Sequence, residues 1–204
     1  SVQSAISLVI MLNLLAVIIG IFVSMTVAFI ILAAIIWLFF YNISFKNLPL
    51  VGNLSVGILG GAIFIMGGVI VAPSMVFSLP GPLVPAIFAF LFHLARELVK
   101  DLADRKGDIA VGSRTLAIIC SENCVLGFIT AVLIILIIFT SIPIFYGWYR
   151  KWYGLIAIFA VDLPLLGLVG YLMIFQSVDR YKHTGTMLKL LMIVGMVAFW
   201  AGKA

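Results

Sequence analysis

The sequence predicts an all-α protein, a multi-span bundle of transmembrane helices, from its composition and from the length of its apolar runs. Of the 204 residues, 65% are hydrophobic and 9% are charged, with a mean hydropathy of +1.35. Soluble domains carry about 25% charged residues. The apolar residues form runs of about 20, the length that an α-helix needs to cross a bilayer. About seven such runs fit the chain, so we expect one transmembrane domain over 1–204 and no nucleic-acid partner.

Two apolar runs without a charge open the chain. Residues 2–20 and 22–40 predict an antiparallel helical hairpin with its joint at Gly20. The next stretch, 41–49, contains amides, a hydroxyl and a cation, and Pro49 prevents a helix from continuing through it. We therefore expect a loop at one membrane face after the hairpin.

The third and fourth spans are predicted at residues 53–72 and 83–100. Gly57 and Gly61 in the third span have the GxxxG spacing. Small residues at this spacing let helix backbones approach closely in lipid. The third span is therefore expected to pack tightly against a neighbour.

The remaining spans are predicted at residues 118–141, 154–175 and 187–202. Residues 144–153 are rich in Trp and Tyr and predict an aromatic belt at the interface. Residues 176–186 are predicted to be a polar loop. Asp162 lies within the sixth span, two residues before Pro164, where it predicts either a functional site or a cap for backbone amides freed at a kink.

The positive charges are distributed unequally between the two ends of the predicted bundle. Nine of the twelve Lys and Arg residues fall at one end, and cytoplasmic loops carry an excess of such residues. We expect that end to face the cytoplasm. The nine residues are Lys46, Arg96, Lys100, Arg105, Lys106, Arg114, Arg180, Lys182 and Lys189.

Residues 96–108 contain four of the seven acidic residues: Glu97, Asp101, Asp104 and Asp108. On a helix these four carboxylates share an arc of about 60°. Such crowding favours a hard divalent cation, with a solvated acidic helix end as the alternative. With Mg²⁺ and cations at the mouth of an apolar bundle, the expected ligand has a polyanionic head and a hydrocarbon tail, as a prenyl diphosphate does.

The segment 101–108, DLADRKGD, resembles the second aspartate motif of the UbiA superfamily of intramembrane prenyltransferases. Residues 41–53 resemble its second conserved cytoplasmic loop, and the details are most similar to the archaeal branch that makes digeranylgeranylglyceryl phosphate. The resemblance implies a nine-helix fold of which these seven spans are the last seven. The family's first aspartate motif would then lie upstream of Ser1, and Lys106 stands where relatives often have an acidic residue.

The resemblance also implies a reaction, a cofactor and roles for individual residues. A prenyl group, geranylgeranyl in this branch, would pass from its diphosphate to a lipid-soluble acceptor with the help of Mg²⁺, and geranylgeranylglyceryl phosphate would be that acceptor. The implied catalytic residue is Asp101. The implied Mg²⁺ ligands are Asp104, Asp108 and Asp101. The implied diphosphate-binding residues are Lys46, Tyr41, Lys100 and Arg114, with Glu97 and Asn53 in support.

Other functions remain open at this stage. The same resemblance covers an enzyme with an aromatic acceptor and a non-catalytic remnant. A cation channel or transporter would carry polar residues through several spans, and apart from Asp162 the spans lack them. A CDP-alcohol phosphotransferase would need a DGxxAR run, which the sequence does not contain.

Overall fold

The computed structural model describes residues 1–174 and 176–203. Nine α-helices follow one another in these residues, and two 3₁₀ turns, Phe45–Asn47 and Pro73–Met75, lie between them. The helices are α1 (Val2–Val23), α2 (Met25–Ile43), α3 (Val51–Val71), α4 (Leu83–Ala110), α5 (Leu116–Ile119), α6 (Glu122–Phe145), α7 (Lys151–Ile156), α8 (Leu163–Ile174) and α9 (Val178–Ala201).

The predicted all-α membrane bundle is confirmed. A π-helical segment, Ala157–Asp162, joins α7 to α8, so the nine helices form seven long rods and the short α5. Six of the rods are long and apolar enough to cross a membrane. The seventh is α4, which has an apolar first half and carries the charged stretch in its second half. The chain is therefore an integral membrane protein.

Helix α4 lies at the centre of the bundle and packs against α3, α6 and α9. Its buried side chains, such as Phe92 and Leu98, join Ile129 and Leu133 of α6 in the main hydrophobic core. By contrast, α1 and α2 expose most of their side chains, as expected of helices that face lipid. The charged end of α4 thus continues directly from the helix at the centre of the hydrophobic core.

Glycines bring α3 into close contact with α4. A Cβ atom at Gly61 would lie 2.8 Å from the carbonyl oxygen of Ala86, and one at Gly57 would lie 2.9 Å from the Phe90 ring. Gly60 is packed against the ring of His93. The tight packing predicted for the third span is confirmed, and it brings the start of α3 to the charged end of α4.

Two predicted boundaries are wrong. The first hairpin turns at Ser24, whose hydroxyl accepts a hydrogen bond from the Val27 amide, whereas Gly20 is a buried packing position against Ala28. The helix breaks at Ser24 because its hydroxyl caps the start of α2. Gly20 lies inside α1, where the absence of a side chain lets Ala28 approach.

Residues 176–186, predicted to be a polar loop, instead belong mostly to α9, which begins at Val178. Tyr181, Thr184 and Leu188 are buried at spacings of three and four residues, so one face of this segment packs and the other is polar. Prediction from mean polarity missed a helix that is amphipathic in its first three turns.

Asp162 is buried at the end of the π segment and accepts a hydrogen bond from the Thr140 hydroxyl of α6 at 2.8 Å. The Tyr153 hydroxyl donates to the Thr140 carbonyl oxygen at 3.0 Å. Of the two interpretations of this acid, the structure favours a structural one, since its partner is a side chain that ties two rods together. The partner is Thr140 and not the freed backbone amides that the sequence had suggested.

Candidate functional site

The candidate site is the charged end of α4, together with the segments that surround it. Helix α4 continues without a break to Ala110, so its acidic residues stand on regular helix. The end of α2 brings Tyr41 within electrostatic range of Glu97, Lys100 and Asp101. The start of α3 and the loop after α4 supply the other neighbours.

Asp101 is half-buried between α4 and α3. The amide Nδ2 of Asn53 donates a hydrogen bond to its Oδ2 atom at 2.8 Å. Burial raises the pKa of Asp101 to about 6, and the carboxylates of Glu97 and Asp108 act in the same direction. The Asn53 hydrogen bond and the Lys100 ammonium act in the opposite direction. Asp101 is therefore charged at neutral pH but has an affinity for protons close to that range.

Glu97 organises the cations at the deep side of the site. Its buried carboxylate accepts from Arg96 at 2.5 Å and from Lys100 at 3.5 Å. Because a buried carboxylate is stable only when it is paired, the two cations are held on either side of it. Lys100 keeps a half-exposed side chain, so its ammonium group remains accessible to a ligand.

Asp104 and Asp108 point toward different neighbours. Asp108 accepts a hydrogen bond of 3.5 Å from the Thr115 hydroxyl, and Asp104 lines a groove between α4 and α9. Among the residues that the structure describes, no three acidic, His or Cys side chains are gathered closely enough to hold a metal ion by themselves. The three aspartates thus have different contacts, although Glu97 and Asp108 both lie close enough to act on the charge of Asp101.

The two loops that carry the remaining predicted cations lie next to each other. Ser113 Oγ is 3.5 Å from Asn47 Oδ1, which links the loop after α4 to the loop after α2. Lys46 and Arg114 are exposed on these loops, and neither forms an ion pair with any described residue. Both side chains are free to move toward an anion at the end of α4.

Helix α9 also lines the candidate site, although none of its residues was among the predicted site residues. Lys182, Thr186 and Lys189 line the groove opposite Arg96, Lys100 and Asp104, and the groove encloses about 240 Å³. The spacing of four and then three residues between them places these α9 residues on one helix face. That signal was present in the sequence, but it was hidden by the prediction of a loop over half of it.

Comparisons with known proteins point in one direction. A family model described as the UbiA prenyltransferase family matches residues 1–200. Digeranylgeranylglyceryl phosphate synthase from Methanopyrus kandleri is 34% identical over 165 residues, which are 80% of this chain and 58% of the relative. The synthase from Methanoregula boonei is 36% identical over 161 residues, which are 78% of this chain and 56% of the relative.

A solved structure, from work on digeranylgeranylglyceryl phosphate synthase in membranes, has the same fold. Its TM-score is 0.77 at 23% sequence identity, and the match covers 99% of this chain and 70% of that chain. The chain spans about half the length of the curated relatives it matches, between 54% and 58% for the synthases of Haloquadratum walsbyi and Methanopyrus kandleri.

Proposed function

The chain belongs to the UbiA prenyltransferase family, and on this premise we propose that it transfers a geranylgeranyl group from geranylgeranyl diphosphate to geranylgeranylglyceryl phosphate. The relatives named above make digeranylgeranylglyceryl phosphate, which carries two geranylgeranyl groups on one glyceryl phosphate. The natural acceptor for the second group is the same lipid with one group already attached. The product would be an ether lipid of the archaeal type.

One observation carries this proposal: carboxylates and unpaired cations stand together where an apolar bundle ends. Asp101, Asp104 and Asp108 supply the carboxylates at the end of α4, and Lys46 and Arg114 are exposed on the loops after α2 and α4, which meet through Asn47 and Ser113. A ligand that satisfies both parts must combine a polyanionic head with a long apolar tail. A prenyl diphosphate has this combination.

The oxygen ligands of the site fit Mg²⁺. This ion is usually bound by one or two carboxylates together with phosphate oxygens and water, and rarely by protein ligands alone. Asp104, Asp108 and Asp101 would hold it. When bound, it supplies positive charge that stabilises diphosphate as a leaving group. No three of these side chains are gathered closely enough to hold a metal by themselves in the described residues, so the diphosphate would supply the remaining oxygen ligands.

The chain's own residues account for the remaining chemistry. Tyr41, Lys46, Lys100 and Arg114 bind the diphosphate, and Glu97 keeps Lys100 in position. The allylic carbon–oxygen bond of the donor breaks, and the acceptor hydroxyl oxygen forms a bond to the same carbon. The proton of that hydroxyl passes to the carboxylate of Asp101, which Asn53 holds in place.

The apolar bundle protects this reaction from water. An allylic cation in water would be hydrolysed, and a dry cavity prevents that side reaction. The buried core around α4 provides such surroundings up to the level of Glu97. We place the charged end of the bundle at the cytoplasmic face, on the basis of the excess of Lys and Arg there.

The proposal is tested with the full-length protein in liposomes. Geranylgeranyl diphosphate, geranylgeranylglyceryl phosphate and Mg²⁺ are added, and the diether product is extracted and detected by mass. Asp101→Asn is expected to lower kcat by about 100-fold or more, the usual contribution of a general base. Asp108→Asn is expected to weaken Mg²⁺-dependent diphosphate binding while the bundle stays folded.

Asp179→Asn is the matched control, because Asp179 is an exposed acid in the first turn of α9 and takes no part in the proposed site. It should retain full activity. Wild-type rates in both Asp101→Asn and Asp108→Asn would contradict the assignment of the site, and no diether from the wild-type protein would contradict the proposed substrates.

A further inference from the structure

The groove between α4 and α9 brings Lys182 and Lys189, which the proposed reaction does not use, opposite Lys100 and Asp104, which it does. Four cations line it, two from each helix: Arg96, Lys100, Lys182 and Lys189. Asp104 is the one acidic residue of its lining. Such an excess of positive charge in a concave site attracts an anionic ligand.

The cations of α9 are available for a ligand. Glu97 neutralises Arg96 and Lys100 in part, but within the described chain neither Lys182 nor Lys189 forms an ion pair. Lys189 lies about 16 Å along α9 from its first residue, inside a helix that meets the criteria for a membrane span. A charged residue at such a position is costly and marks a ligand or ion path by default.

The two helices run antiparallel, which sets the order of charges along the groove. A Cβ atom at Gly195 would collide with the ring of Phe88, so the end of α9 lies against the start of α4. Lys189 is therefore at the depth of Arg96, and Lys182 is level with Lys100. The cations form a deeper and a shallower pair, with about 6 Å between the two on α4 and about 10 Å between the two on α9.

We propose that this groove binds the phosphate monoester of the acceptor lipid, an inference that rests on the proposed function. The acceptor, unlike an alcohol or a phenol, carries a phosphate of its own, with a charge of about −1.5 to −2 at neutral pH. Two polyanions in one site repel each other unless each has its own cations. Of the residues assigned to the diphosphate, Tyr41, Lys46 and Arg114 lie outside the groove and Lys100 lies at its edge between the two ligands, while Lys182 and Lys189 supply cations for the second polyanion.

The volume of the groove supports a headgroup as its occupant. The space of about 240 Å³ holds a phosphate with its glycerol. It falls below the range of about 300–1,000 Å³ that encloses a whole drug-sized ligand, so the prenyl chain must lie elsewhere, among the spans. Thr186 also lines the groove, but its hydroxyl donates to the Lys182 carbonyl oxygen at 3.1 Å, so the cations are the groups that hold the phosphate.

The test compares two acceptors and follows binding as well as turnover. Lys182→Gln and Lys189→Gln are each expected to raise the KM for geranylgeranylglyceryl phosphate roughly tenfold, the effect of one charge-assisted hydrogen bond. The KM for geranylgeranyl diphosphate should not change. Wild-type protein should prefer the phosphorylated acceptor over geranylgeranylglycerol, and the two variants should lose that preference.

Two further variants control for loss of folding and for general charge. Lys182→Arg and Lys189→Arg keep the charge and should retain much of the affinity. Lys106→Gln removes an exposed cation from the same end of α4 but outside the groove, and should leave both KM values unchanged. Direct binding of radiolabelled geranylgeranylglyceryl phosphate to the protein in liposomes gives a readout that does not need turnover.

The possible results separate the inference from the function on which it rests. A raised KM for the diphosphate instead of the acceptor would assign the groove to the donor and overturn the inference. If the Lys182 and Lys189 variants lose affinity for geranylgeranylglyceryl phosphate only in liposomes without anionic lipid, the groove binds a membrane headgroup when one is present. That result would also overturn the inference. If the wild-type protein binds the phosphorylated lipid through Lys182 and Lys189 but forms no diether, the binding site stands and the proposed function fails.

Discussion

At the scale of single residues, the pair Asn53 and Asp101 connects the packing of the bundle to its proposed chemistry. Asn53 is buried on α3, and its amide reaches across to the Asp101 carboxylate on α4. A hydrogen bond to the charged form of an acid favours that form, whereas burial disfavours it. The two effects oppose each other. Burial is the larger one, so the pKa of Asp101 is raised to about 6.

Asn53→Ala is expected to raise the pKa of Asp101 further, since the hydrogen bond that favours the carboxylate is lost. Metal binding requires the carboxylate form, which is present above the pKa and disappears as the pH falls through it. Mg²⁺-dependent diphosphate binding should therefore weaken below about pH 6 in the wild-type protein. In the variant the same loss should begin at higher pH. Below the pKa of Asp101, the binding constant should fall about tenfold for each unit by which the pH is lowered.

The measurement is a titration of diphosphate binding with Mg²⁺ between pH 5 and 8. Asn42→Ala serves as the control, because the Asn42 amide bonds to its own helix at the Leu38 carbonyl oxygen, and it should leave the profile unchanged. A profile in Asn53→Ala that coincides with that of the wild-type protein would show that Asn53 does not tune Asp101.

At the scale of elements, the contact between α3 and α4 decides where Asn53 meets Asp101. The contact is close because glycines on α3 face the backbone of α4. At Gly61 the atom that an added methyl group would meet is the backbone oxygen of Ala86, 2.8 Å away, which cannot rotate aside as a side chain can. Gly67 lies on the same helix but has open space around its Cα.

Gly61→Ala should therefore destabilise the protein by about 1–3 kcal/mol, the usual cost of overpacking. Gly67→Ala is the matched control, and it should stabilise α3 by up to about 1 kcal/mol because alanine loses less backbone entropy on folding. Thermal unfolding in detergent, followed by circular dichroism, measures both. Equal melting temperatures for the two variants would contradict the close contact of α3 with α4.

At the scale of the whole molecule, the charges divide the bundle into two ends. The loops after α2 and α4 meet through Asn47 and Ser113, and Lys182 faces Lys100 across the groove. At the opposite end, the amide of Arg150 bonds to the Gly202 carbonyl oxygen at 3.1 Å. Segments that are distant in sequence thus meet at the same end of the bundle, and the Lys- and Arg-rich loops meet at the end predicted from the distribution of positive charge.

We expect cysteines at positions 46, 105 and 182 to react with a membrane-impermeant reagent from the cytoplasmic side of sealed vesicles. A cysteine at position 150 should react from the other side. The reason is that nine of the twelve cations lie at the end that contains the first three positions. Reaction of any of those three only from the outside would overturn the proposed orientation of the site.

The sequence by itself determined the membrane helices and the residue types that stand at their charged end. In a bilayer each span must satisfy its own backbone hydrogen bonds, so an apolar run of sufficient length becomes a helix whatever its neighbours are. The place of the aspartates at 101, 104 and 108 could also be predicted, because charged residues are costly inside a bilayer and therefore lie where an apolar span ends. The roles assigned to them remain predictions.

Only the tertiary structure decided which helix faces meet. The spans are apolar all round, so hydropathy does not indicate the face that packs, and packing in lipid depends on shape, as at Gly61. The pairing of Asn53 with Asp101 and the different contacts of Asp104 and Asp108 follow from that packing. The groove between α4 and α9 does too, because Lys182 and Lys189 become a site only when a distant helix brings Arg96 and Lys100 opposite them.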